Sequence, residues 1–212
     1  MVMESGMILM GQLGKRTNMG RNKKSIVEVL DEFTNTKVTV DSNEEYYIYQ
    51  WAMECKKLGI IKEYVYQPES FHLTDKFTYV PLFGNVKCKE KHLLQDHIYS
   101  ADFKFVFDMK YGEKLAQYFK IGQQSVNKDG DIEVWVDVKG TFQRFGGDRS
   151  FSINQKLVYD KHKIYVQKIT PKECFAILGA PHAARYTIKK KSVSHVFDGY
   201  NYIETIFGLK SN

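Results

Sequence analysis

Residues 132–139 (IEVWVDVK) alternate strictly in side-chain character, a pattern typical of a β-strand whose two faces differ. One face carries four branched aliphatic residues: Ile132, Val134, Val136 and Val138. On the other face Asp137 and Lys139 lie side by side, because residues two apart on a strand point the same way. The aliphatic face requires a covering layer of other elements, while the opposite face brings an acid and a base together.

A capped helix is predicted from Ser42 to Leu58. Ser42 is a suitable N-cap residue, and Glu45, three positions later, completes a capping box. Apolar residues then recur at helical spacing: Tyr47, Ile48, Trp51, Ala52, Cys55 and Leu58. Gly59 provides a stop signal directly after them.

Short strands are predicted on both sides of this helix, at residues 37–40, 60–68, 70–75, 77–83, 99–107 and 163–169. Residues 25–33 fit a helix or a strand, and residues 87–97 are polar and irregular, as in a loop. Helical segments are expected at 111–125 and 152–159, a turn at 127–131 and a glycine-rich loop at 140–149. This order predicts an α/β fold with a central mixed β-sheet flanked by helices.

The length of 212 residues and the 43% hydrophobic content suit one domain with a packed core. We predict a basic, flexible N-terminal tail at residues 1–24, a core at 25–170, and a C-terminal extension at 171–212 that packs on the core or is partly flexible. No apolar run approaches the ~20 residues that cross a bilayer, so no membrane contact is expected. Three widely spaced cysteines suit a reducing, cytoplasmic setting.

The acidic and basic residues of the predicted strands suggest phosphodiester chemistry. The net charge of +6 favours a polyanionic partner. Cleavage of a phosphodiester needs a divalent metal, for which carboxylates are suitable ligands. Asp102, near the start of a strand that could pair with residues 132–139, is the candidate second acid, with Asp96 or Asp108 as alternatives. Glu45 is a candidate third acid, although capping alone would also explain it.

The ordered set of Glu45 on a helix, then Asp102, then Asp137-x-Lys139 resembles the PD-(D/E)XK nuclease superfamily, with Ala101 where the family name has proline. The segments DSNEEYYIYQW, YVYQPESFHL, HIYSADFKF, VDVKG and FSINQKLVY are similar to those of small phage-encoded nucleases of that superfamily, over about residues 38 to 170. The resemblance implies a restriction-endonuclease-like domain. It also implies a Mg²⁺- or Mn²⁺-dependent deoxyribonuclease, acting in phage DNA metabolism, recombination or packaging in the host-cell cytoplasm.

On the predicted strand Val138 points into the core, which leaves its backbone carbonyl free as a further metal ligand. Carried onto this sequence, the resemblance makes Asp102 and Asp137 metal ligands and Glu45 the acid of the helix, which would hold a metal-bound water or a second ion. Lys139 becomes the catalytic lysine. Gln155 and Tyr159 match a Gln-x-x-x-Tyr motif that follows the core in some members of the family. They lie on one helical face, where they could position DNA or the site lysine, and packing of Tyr159 is an equal alternative.

Other basic residues are candidate DNA contacts: Arg144, Arg149, Lys156, Lys189, Lys190 and Lys191. Each set also fits an ordinary solvated surface. The expected partner is DNA, and a second copy of the chain or other phage proteins could join it. The competing hypothesis is an inactive nuclease-fold protein that binds DNA or associates with the virion.

Overall fold

The computed structural model describes residues 27–83, 89–140, 147–182, 186–189, 192–195 and 199–209. The predicted tail at 1–24 lies outside these ranges. None of the helices within them has the length and apolar character needed to cross a membrane.

The chain forms strands with helices between some of them. In the first half they are β1 (Val27–Asp31), β2 (Thr36–Val40), α1 (Asn43–Lys57), β3 (Ile61–Tyr66), β4 (Phe71–Thr74), β5 (Phe77–Tyr79), β6 (Lys91–Leu94), β7 (His97–Tyr99) and β8 (Phe103–Phe107). In the second half they are α2 (Gly112–Leu115), β9 (Ile132–Val138), α3 (Gly147–His162), β10 (Val166–Ile169), α4 (Pro171–Leu178), β11 (Tyr186–Lys189), β12 (Ser192–His195) and α5 (Ile203–Phe207).

Four strands form the central sheet, in the order β10-β9-β8-β3. The pairs β3–β8 and β8–β9 are antiparallel, whereas β9 and β10 are parallel. A parallel pair needs a crossover connection, and α3 lies within the one between β9 and β10. The prediction of an α/β protein with a mixed sheet is therefore confirmed.

Each face of the sheet is covered by a different layer. On one face α1 buries Trp51 against Phe105 and Phe107, with ring centroids 5.8 and 6.2 Å apart. On the other face Trp135 of β9 packs on Phe71 of β4, at 4.9 Å between ring centroids, in a second apolar cluster that includes residues of α3. Both faces of β9 are thus buried, each against a different apolar cluster.

The predicted helix is observed as α1 with its predicted start and stop. Ser42 is the N-cap, and its Oγ accepts a hydrogen bond from the backbone N–H of Glu45 at 3.1 Å. Gly59 has φ of +71°, which glycine adopts without strain. These local signals fix the first turn of α1, and with it the position of Glu45.

The expectation of a polar loop at 87–97 is wrong for its described part, because β6 and the start of β7 lie there. β6 pairs with β5 and β7 pairs with β4, both antiparallel. Backbone pairing with other strands forms these strands, which are too short to show an alternating pattern in the sequence.

Several predicted boundaries also change. Of the two alternatives for residues 25–33, the strand is observed, as β1. The glycine-rich loop ends at Gly147, because the helix predicted at 152–159 extends over Gly147–His162 as α3. The strand predicted at 163–169 begins only at Val166, after Lys163 with φ of +60°. The loop residues 141–146 lie outside the described ranges.

The segment after β10 contributes to the same core as α1. Cys174, Phe175 and Leu178 of α4 and Ile203 of α5 are buried in the cluster that contains Trp51. Ala180 forms a bridge with Tyr202, which brings the two helices together. Residues 171–182 and 199–209 therefore pack on the sheet domain.

Candidate active site

Asp102 and Asp137 meet at adjacent ends of β8 and β9. The antiparallel register pairs Phe103 with Val136, which brings the residue before β8 next to the end of β9. The backbone N–H of Asp102 donates to the Val136 carbonyl at 3.0 Å. Asp102 Oδ2 accepts the backbone N–H of Val138 at 2.6 Å. The structure thus brings together the two acids selected from the sequence.

Asp137 is buried, with 4% of its surface exposed. Its Oδ2 accepts a hydrogen bond from the Tyr99 hydroxyl at 2.8 Å. Its Oδ1 forms an ion pair with Lys139 Nζ. The Asp-x-Lys spacing therefore places acid and base in contact on one face of β9.

The environment of Asp102 opposes its ionisation. Burial first, and the charge of Asp137 second, raise the pKa of Asp102 to about 8. The Val138 N–H and the Lys139 ammonium act in the opposite direction, and the charge of Glu45 adds to the rise. Asp137, Lys139 and Glu45 therefore all act on the ionisation of Asp102.

Glu45 is held in place by hydrogen bonds to both carboxylate oxygens. Ser42 Oγ donates to Oε1 at 2.8 Å, and the Tyr66 hydroxyl donates to Oε2 at 2.7 Å. The capping interpretation of Glu45 is thus observed, together with its proximity to Asp102. The Glu45 oxygens do not form a close three-ligand group with the two aspartates, since no such set within 4.8 Å includes them among the described residues.

Neither alternative acid lies at this site. Asp108 follows the opposite end of β8, where it caps a 3-10 turn and forms an ion pair with Lys110. Asp96 lies in the turn between β6 and β7 and accepts a hydrogen bond from Gln95 at 2.5 Å. Asp102 is therefore the acid that pairs with Asp137.

Tyr99 and Glu44 also lie at the site, although no motif in the sequence predicts a role for them. Tyr99 orients Asp137, and burial and then the charge of Asp137 raise the pKa of its hydroxyl, which stays a donor. Glu44 lies beside the end of β9, since a Cβ added to Gly140 would be 3.2 Å from Glu44 Oε1. Adjacency to Glu45 could have indicated Glu44, whereas no local signal indicates Tyr99.

The predicted DNA contacts have mixed outcomes. Arg144, Lys190 and Lys191 lie outside the described residues, and only the backbone of Lys189 is described, in β11. Arg149 is exposed in the first turn of α3. Gln155 Nε2 donates to the Val166 carbonyl at 2.6 Å, so its amide contacts the backbone of β10. Lys156 and Tyr159 line a cavity beside it.

The donor set at the sheet end suits a hard divalent cation. Mg²⁺ is usually held by one or two carboxylates and waters, and Asp102 and Asp137 supply two. The N–H and C=O of a strand residue point to the same edge, so the Val138 carbonyl lies on the Asp102 side. The role of the Val138 carbonyl as a metal ligand stays a prediction.

A second group of ligand-type side chains lies away from this site. Glu54, His182 and Glu204 each offer an atom within 4.8 Å of the others. His182 Nε2 lies 2.8 Å from Glu204 Oε1, which is an ordinary hydrogen bond or ion pair. This group joins α1 to α5 without any added ion.

Comparisons with models of known protein families, with curated proteins and with solved structures gave no match. The described residues define an α/β protein with a mixed four-stranded sheet. At one end of that sheet, two aspartates and a lysine converge.

Proposed function

We propose that the chain is a metal-dependent deoxyribonuclease of the PD-(D/E)XK type, with a restriction-endonuclease-like domain, acting in phage DNA metabolism, recombination or packaging. The observation that carries the proposal is the meeting of Asp102 and Asp137 across β8 and β9, with Lys139 paired to Asp137. The order of these residues along the chain is the order in the family that the sequence resembles.

The electrostatics of the pair support a cation site. Two carboxylates in a poorly solvated setting cannot both ionise cheaply, and the pKa of about 8 at Asp102 expresses that cost. Near neutral pH a proton relieves the repulsion, and a divalent cation would do so more fully. Bound Mg²⁺ or Mn²⁺ would supply charge neutralisation and activation of water for phosphodiester hydrolysis.

The protein groups around the pair have distinct roles in this proposal. The Lys139 ammonium is a compact cation that can hold a phosphate oxygen or the attacking water next to Asp137. The Tyr99 hydroxyl fixes the orientation of Asp137. Glu45, oriented by Ser42 and Tyr66, adds negative charge near Asp102. Perturbed acids of this kind are concentrated at functional sites.

The test uses labelled linear, circular, single-stranded and branched DNAs with Mg²⁺ or Mn²⁺. We expect Asp137→Asn and Lys139→Gln each to lower the cleavage rate by about 10²–10⁴-fold, the range for loss of a positioned catalytic group. Asp129→Asn, in the exposed turn after Asn127, is the matched control and should cleave like the wild type. Undiminished cleavage by folded Asp137→Asn would refute the proposal.

The second candidate is a nuclease-fold protein that binds DNA or associates with the virion but does not cleave DNA, and one feature of the site favours it. Glu45 and Asp137 already have partners within the chain, namely Ser42, Tyr66 and Lys139. Calorimetric titration of Mn²⁺ separates the candidates. A nuclease should give a binding site that Asp102→Asn abolishes, whereas a protein that only binds DNA should give none.

A further inference from the structure

A cavity of about 560 Å³ lies between α3, the start of β10 and residues 120–124. Its volume is in the range of small-molecule sites, roughly 300–1,000 Å³. Its lining combines three lysines with two tyrosines: Lys120, Lys156, Lys163, Tyr159 and Tyr165. Neither Asp102 nor Asp137 belongs to this lining.

The charge of the lining favours an anion. Three ammonium groups face one carboxylate, that of Asp160. Lys163 Nζ donates to the backbone carbonyl of Asp160 at 2.6 Å, and Lys120 Nζ donates to the Tyr165 hydroxyl at 3.3 Å. Lys156 has no ion-pair partner in the described part of the chain, so its charge is available to a ligand.

The tyrosines add a surface for an aromatic ring. The rings of Tyr159 and Tyr165 meet edge to face, with centroids 6.4 Å apart. Lys120 Nζ lies over the Tyr165 ring, 5.6 Å from its centroid. Tyr159 is 44% exposed and accessible for stacking by a planar ligand. Stacking of bases on aromatic side chains tolerates any base, because each has a π-face.

The walls of the cavity are fixed to the central sheet. Gln155 donates to the Val166 carbonyl, and the buried amide of Gln167 accepts the Lys120 N–H at 2.7 Å and donates to its carbonyl at 3.3 Å. Both contacts attach the lining to β10, in which Lys168 pairs with Asp137. Tyr165 is three residues before Lys168, or about 10 Å along a strand.

We propose that this cavity binds one nucleotide unit, with its base against Tyr159 and its phosphate between Lys120 and Lys156. The identification of the unit as part of a DNA strand rests on the proposed nuclease function. The cavity chemistry by itself also fits a free nucleoside monophosphate. A nucleotide held here would fix the strand relative to the aspartates.

The experiment measures binding of 3′-fluorescein-labelled (dT)20 by anisotropy, in EDTA so that no cleavage occurs. We expect Lys156→Glu and Tyr159→Ala each to weaken binding by about tenfold, and Tyr159→Phe to retain it. Lys161→Glu, an exposed lysine of α3 outside the cavity, is the matched control and should change binding by less than about twofold. Circular dichroism establishes that each variant is folded.

Competition by thymidine monophosphate separates the two sources of the nucleotide. Displacement of the labelled strand means that the cavity takes a free mononucleotide, whereas retention of the strand means that it requires a chain. Equal loss of binding in Lys156→Glu and Lys161→Glu, or none in either, would overturn the cavity proposal. Because binding is measured without metal, cavity-dependent binding in a protein that never cleaves DNA would refute only the nuclease proposal.

Discussion

Two aspartates of this chain show how the surroundings of a residue decide its role. Asp31 is buried, yet hydrogen bonds from Tyr64, Tyr49 and two backbone N–H groups outweigh the desolvation and lower its pKa to about 2. Asp102 receives one backbone donor and faces the charge of Asp137, and its pKa rises to about 8. Asp31 is thus a structural acceptor, while Asp102 has the perturbation typical of a functional acid.

The raised pKa of Asp102 predicts how the stability of the metal-free protein depends on pH. The folded state binds the Asp102 proton more tightly than the unfolded state. The resulting contribution to the free energy of unfolding is fully present below about pH 4 and is lost as pH rises through about 8. One proton changes the free energy of unfolding by at most about 1.4 kcal/mol per pH unit. Asp102→Asn should therefore be more stable relative to the wild type at pH 8 than at pH 5.

Urea unfolding in EDTA at the two pH values measures this difference. Asn keeps an acceptor for the Val138 N–H, so the variant isolates the charge. Asp129→Asn serves again as the control and should leave the pH profile unchanged. A stability difference between Asp102→Asn and the wild type that is the same at both pH values would contradict the prediction.

Among the elements, the junction of α4 and α5 depends on one glycine. Gly179 ends α4 with φ of +90°, and a Cβ there would lie 2.6 Å from the backbone N and Cα of Ile203. Gly59, which follows α1, has a similar φ of +71°, but a Cβ added there would have no atom within 4 Å. The two positions therefore share a positive φ and differ in steric contact.

We predict that Gly179→Ala costs at least about 3 kcal/mol of unfolding free energy, because strain and backbone overlap add. Gly59→Ala should cost only about 1–2 kcal/mol, the strain of a left-handed conformation for an L-residue. Chemical denaturation of both variants gives the comparison. Equal losses of unfolding free energy in the two variants would contradict the prediction. They would mean that α5 can move away from Gly179 at no cost, although Ile203 is buried in the core.

At the scale of the whole molecule, a bound metal should stabilise the fold. If Asp102 and Asp137 hold Mn²⁺, a concentration of 100 times Kd adds about 2.7 kcal/mol of stability. For a chain of this size that corresponds to a rise in Tm of roughly 5–10 °C. EDTA should reverse the shift, and Asp137→Asn should abolish it.

The group of Glu54, His182 and Glu204 requires its own control in that measurement. His182→Ala should leave the Mn²⁺-dependent rise in Tm intact, since the rise is assigned to the aspartates. Loss of the rise in His182→Ala, with retention in Asp137→Asn, would transfer the metal site to the junction of α1 and α5.

Sequence alone determined the features that depend on neighbours along the chain. The cap at Ser42, the stop at Gly59 and the alternation of β9 are local, because hydrogen bonds and side-chain directions within one element produce them. The adjacency of Asp102 and Asp137 followed from a simple antiparallel pairing of two such strands.

Only the tertiary structure decided what depends on distant segments. The strands β6 and β7 are short and largely exposed, and they are formed by backbone pairing with β5 and β4. Tyr99 reaches Asp137, and the segment at Lys120 closes a cavity against α3, because the sheet brings these parts of the chain together. Desolvation and charge interactions arise from that packing, so the raised pKa of Asp102 could not be inferred from its neighbours in sequence.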